Sequence, residues 1–107
     1  MKNGLYIVNF RTPLDEASGV VVVQDETVYG GDSGMYYVGS VSGDETALQV
    51  RLYVRQHNPV TQSVFGDYTD FELKLKGSRK GDGYLFEGRA DAAPSLRFEA
   101  RLNPAEV

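Results

Sequence analysis

The 107-residue sequence has no cysteine, no tryptophan and only one histidine. Without cysteine there is no disulfide framework, no thiolate metal site and no thiol nucleophile. A lone histidine, His57, removes most zinc designs and most histidine-dependent acid–base designs. Basic charge is also short, with 11 Lys+Arg against 15 Asp+Glu and a net charge of −4. Non-specific nucleic-acid binding needs a basic face, so no direct nucleic-acid binding is expected. Long apolar runs are missing too. Leu5–Val8 and Val20–Val23 each stop after four residues, far short of the ~20 needed to span a bilayer as a helix. Asn9 and Arg11 interrupt the first run, and no small-residue cleavage site follows, so no signal peptide is read. The expected compartment is the cytoplasm, with no membrane partner. No catalytic residue, cofactor site or metal site is expected.

What the sequence does hold is period two. Leu48, Val50, Leu52 and Val54 alternate with Gln49, Arg51, Tyr53 and Arg55. Phe71, Leu73 and Leu75 alternate with Glu72, Lys74 and Lys76. Leu96, Phe98, Ala100 and Leu102 alternate with Arg97, Glu99 and Arg101. Such alternation places one set of side chains on a buried sheet face and the other in water. No window of similar length carries an apolar stripe at helical spacing, so the chain reads as all-β.

Short polar and glycine-rich breaks divide it into eight strands, at about 3–10, 19–24, 27–30, 35–42, 46–56, 68–77, 83–90 and 95–103. Connections this short join antiparallel neighbours as hairpins. The expected architecture is one domain over residues 1–107, an eight-stranded antiparallel up-and-down β-barrel, with a flattened sandwich as the alternative. The one long connection runs from His57 to Asp67. Pro59 argues against a central strand there, and a single helical turn fits inside it. A connection of that length reads as a functional loop or a lid over a barrel end.

Three segments are apolar on both faces: Leu5-Tyr6-Ile7-Val8 with Phe10, Val20–Val23, and Met35-Tyr36-Tyr37-Val38. Two apolar faces on one strand imply a second buried surface, and a homodimer is the simplest source of one. Tyr6, Val8, Tyr36 and Val38 are the candidate self-association residues. Gly31-Asp32-Ser33-Gly34 spells the string around a protease serine, but the only histidine lies downstream and the chain is too short for that fold. It reads instead as a glycine-rich turn in which Asp32 accepts from backbone amides. Asp15-Glu16 and Asp25-Glu26 also sit in turns, where sequence neighbours do not form a facing acid and base. Asp44-Glu45 is an exposed acidic pair between two long strands, either a solubilising turn or a recognition point for an Arg- or Lys-bearing partner.

Lys2-Asn3-Gly4-Leu5-Tyr6, Gly19, the Gly30-Gly31-Asp32 turn and the following Tyr37-Val38-Gly39 together resemble the GrlR family of small bacterial regulators of type III secretion genes. The resemblance covers roughly residues 2–56. It implies a lipocalin-like barrel, commonly a homodimer, that acts by binding a protein partner such as a transcriptional activator. It also implies an acidic recognition turn at Gly43-Asp44-Glu45-Thr46, where Asp44 and Glu45 carry the acidic character. The expected function is a non-enzymatic regulatory binding protein. The alternative is a carrier of a small apolar ligand, since seven Tyr and five Phe could line a barrel interior.

Overall fold

The alternating segments form strands and most of their breaks form turns, but Glu16, expected in a turn, opens the second strand opposite Arg11. The computed structural model describes residues 1–60, 63–66 and 68–106. It contains β1 (Gly4–Arg11), β2 (Glu16–Gln24), β3 (Thr27–Gly31), β4 (Met35–Asp44), β5 (Ala47–Gln56), β6 (Asp70–Lys80), β7 (Gly83–Ala90) and β8 (Ala93–Pro104). Each strand pairs antiparallel with the next. β8 returns to β1, with Val8 opposite Leu102 and Phe10 opposite Ala100. The result is a closed, lipocalin-like eight-stranded barrel rather than a sandwich. Closure satisfies the backbone groups that an open sheet would leave at its two edges. Among the described residues there is no helix, and hence none long and apolar enough to cross a membrane.

The interior is built from the alternation. Leu48, Val50, Leu52 and Val54 of β5, Phe71, Leu73 and Leu75 of β6, and Phe98, Ala100 and Leu102 of β8 are all buried. Burying each of these Val, Leu and Phe side chains contributes about 1.5–3 kcal/mol. Gly39 shows how closely the strands approach. A Cβ there would stand 1.9 Å from the Arg51 carbonyl oxygen of β5, so only glycine fits without moving the pair apart.

Antiparallel order assigns the turns to two ends. Residues 12–15, 32–34, 57–60, 63–66, 68–69 and 91–92 lie at the upper end, and residues 1–3, 25–26, 45–46 and 81–82 at the lower. The long β5–β6 connection closes the upper end. Val64 and Phe65 are buried, with the Phe65 ring 5.0 Å from Phe71 and 5.5 Å from Phe98, centroid to centroid. The Thr12 hydroxyl, itself buried, donates to the Val64 carbonyl and accepts from the Leu14 amide. Residues 63–66 of this segment form a tight turn, closed by the Gly66 amide on the Ser63 carbonyl at 2.9 Å. Residues 61, 62 and 67 of the same segment lie outside the described residues.

Candidate functional site

Eight inward-facing rows of side chains do not quite fill the barrel. A cavity of about 140 Å³ runs along its axis from Met1 at the lower end to Asp32, Ser33 and Ser63 at the upper. Its wall is almost wholly aliphatic and aromatic, with rings from Phe10, Phe65, Phe71, Phe86 and Phe98. At the upper end the wall turns polar, because the β3–β4 turn folds inward. Asp32 accepts from the Gly34 and Met35 amides, each at 2.8 Å, as expected for this turn. The Tyr37 hydroxyl donates to the second carboxylate oxygen. Burial, and then that bond to Asp32, hold the Tyr37 phenol well above its ordinary range. His57 contacts the same turn from above, its Nε2 2.9 Å from the Asp32 carbonyl oxygen and its backbone amide donating to the Gly34 carbonyl. No described group of His, Asp or Glu is arranged to hold a metal ion.

The acidic pair at the lower end is engaged in structure on both residues. Asp44 is exposed, and one of its carboxylate oxygens accepts from the Thr46 amide, the Thr46 hydroxyl and the Ala47 amide. The hydroxyl and amide bonds from Thr46 hold its carboxyl below the usual carboxylate range. Glu45 leans over the barrel end instead. Its carbonyl accepts from the Arg79 amide, and its carboxylate lies 3.7 Å from the Met1 ammonium. Beneath it, the Tyr6 hydroxyl donates to the Lys2 carbonyl at 2.6 Å, and Tyr6 and Tyr84 meet edge to face. Asp44 and Glu45 therefore point to different surroundings and do not form one two-pronged acidic tip.

The outer surface is divided. Across β5–β8 it is charged, and Arg51–Glu72, Arg55–Asp70 and Arg97–Glu87 pair across strands at 3.5, 3.6 and 2.6 Å. Glu72 also meets Lys74, and Glu99 meets Arg11. Across β1–β5 the surface is apolar. The register aligns Leu5 with Val22, Val22 with Tyr29, Tyr29 with Val38, and Val38 with Tyr53. Ile7, Val20 and Tyr36 form a second row beside the first. All eight side chains are exposed, from 39% at Leu5 to 51% at Tyr29.

This stripe corrects half of the self-association set. Tyr6 and Val8 are 3% and 5% exposed and point into the barrel, so they cannot meet another molecule. Leu5 and Ile7 take the outward positions. The sequence held the signal for this. Asn9 and Arg11 share the parity of Leu5 and Ile7, whereas Phe10 shares that of Tyr6 and Val8, and polar neighbours mark the wet face. Tyr36 and Val38 do lie outward. Val22, Tyr29 and Tyr53 join them only because the register brings five strands into line, which no single strand reveals. Compared with known proteins, the chain matches no family model and no curated sequence.

Proposed function

We propose that this protein is a non-enzymatic regulatory binding protein that works by contact through the outer face of β1–β5. The observation carrying the reading is the continuous row Leu5–Val22–Tyr29–Val38–Tyr53 on a closed barrel. Contiguous exposed apolar surface of this kind marks interaction sites, and tyrosine, with an apolar body and a polar tip, suits a surface that is alternately wet and covered. The stripe spans five of eight strands and so curves round more than half of the barrel. One flat partner meets only part of it, which leaves room for a second copy of the chain and for a different protein. In this reading the protein is a cytoplasmic homodimer of bacterial origin, resembling GrlR-type negative regulators. Its partner is another protein, such as a transcriptional activator. Asp44 is the residue that presents charge to that partner, because it is exposed beside its turn while Glu45 is turned toward the lower barrel end.

The test pairs sedimentation velocity with affinity capture from host lysate, using wild type, Val22→Lys/Val38→Lys and Asp44→Ala/Glu45→Ala. The expected result is a wild-type dimer that retains a transcriptional regulator, a monomeric lysine variant that loses it, and weakened capture by the acidic-turn variant. A monomeric wild type with the same captured proteins in all three forms would overturn the reading.

The cavity favours a second reading, in which the barrel carries a small apolar ligand. Apolar lining with a few convergent polar groups at one end is the usual anatomy of a small-molecule site.

A further inference from the structure

The interior has a size, a lining and a polarity gradient, and each restricts what it can hold. A cavity of about 140 Å³ is close to the engineered apolar cavities of ~150 Å³ that stay dry and admit benzene. It has room for one or two rings, not for a long acyl chain. The phenylalanine rings around it favour another aromatic, because ring pairs gain from offset and edge-to-face contacts beyond the area they bury. The pairs already present, Phe10 on Phe98 and Phe65 on Phe98, show rings lining the cavity wall at the upper end.

The upper end decides the polar chemistry. The Asp32 carboxylate takes three donors: two backbone amides and the Tyr37 hydroxyl. An ionised carboxylate offers about four acceptor positions, so one more donor can be accommodated. Among the described residues, no Lys, Arg or His side chain pairs with this carboxylate. A ligand that brought its own negative charge would meet Asp32 uncompensated in a largely apolar chamber. A neutral donor would gain a charge-assisted hydrogen bond there.

We propose that the barrel interior is a binding site for a small neutral aromatic molecule carrying one hydrogen-bond donor, its ring among the phenylalanines and its donor on the Asp32 carboxylate. The assignment rests on the carrier reading and narrows it to phenol-like or indole-like compounds, excluding fatty acids and aromatic carboxylates. Ser33 and Ser63 also line the cavity at the donor end.

The test is an amide NMR titration of the full chain with indole, benzofuran, benzoate, decanoate and xenon. Benzofuran has the shape of indole with the N–H replaced by an acceptor oxygen. Indole is expected to saturate, with shifts at Val21, Leu52 and Phe98, and to bind about tenfold more tightly than benzofuran. Benzoate and decanoate should not bind. Asp32→Asn should cut the indole preference below about threefold, and Ala100→Leu, which fills the chamber, should abolish saturation. Should Ala100→Leu fail to fold, the indole–benzofuran pair on wild type still decides. Benzofuran binding as well as indole, or either carboxylate competing with it, would overturn the donor assignment while leaving a carrier. Indole shifts confined to the outer face would overturn the interior site. Silence from indole, benzofuran and xenon together would overturn both this assignment and the carrier reading.

Discussion

Asp25 and Glu26, the two residues of the β2–β3 turn, have φ of 50° and 68°. That left-handed geometry is what a two-residue hairpin needs to match strand twist, but it costs a residue with a Cβ. Replacing the pair by Asn-Gly is expected to stabilise the fold by about 1 kcal/mol, read as a higher urea midpoint with an unchanged slope. Three tyrosines set the alkaline limit at the same scale. Burial is the first cause raising the Tyr6 hydroxyl from 10.0 to about 12, and it also raises Tyr84 and Tyr37. In the unfolded chain these phenols lose their protons first, so the folded state binds more protons above pH 10. Stability is therefore full below pH 10 and falls as pH rises toward 12. Thermal melts from pH 8 to 12 should show that decline, and Tyr6→Phe/Tyr37→Phe should make it shallower.

At the scale of elements, the β5–β6 connection behaves as a built part of the barrel rather than a loose linker. Phe65 fills the upper end against Phe71 and Phe98, and the Thr12 bond to the Val64 carbonyl ties the cap to the β1–β2 turn. Phe65→Ala is expected to cost about 3–5 kcal/mol by chemical denaturation, since it removes a buried ring and leaves a hole. Thr12→Val should cost about 1–3 kcal/mol, because it leaves a buried carbonyl without its donor. Hydrogen exchange should then speed up at the 63–66 amides in both variants and stay slow in β5 and β6. Uniform acceleration through the whole barrel would mean that the cap is not a separable element.

For the whole molecule, the division of the outer surface matters more than net charge. Surface ion pairs such as Arg55–Asp70 are worth about 0–1 kcal/mol each, so the charged half of the barrel supplies solubility more than stability. The apolar half contributes little to the isolated fold, since its side chains remain exposed. Val22→Lys/Val38→Lys should therefore shift monomer stability by no more than about 0.5 kcal/mol for each site while lowering the tendency to associate. A large loss of stability at low protein concentration would mean that these side chains support the barrel itself.

Composition and periodicity alone determined that this chain is all-β, that it has eight strands joined by short hairpins except for one long connection between β5 and β6, and that no cysteine is available for disulfide or thiolate chemistry. Those properties are local: the pleat alternates every residue, and turns depend on a few neighbouring residue types. The role of Asp32 as a turn acceptor was legible for the same reason. The parity of β1 was legible only from Asn9 and Arg11 beyond its apolar run, because Leu5-Tyr6-Ile7-Val8 itself is apolar on both sides; the tertiary structure decided the rest. It alone aligned Leu5, Val22, Tyr29, Val38 and Tyr53 into one stripe, separated Asp44 from Glu45, and left a chamber with Asp32 at its mouth. Each of these depends on register and closure, which bring together residues far apart in the chain.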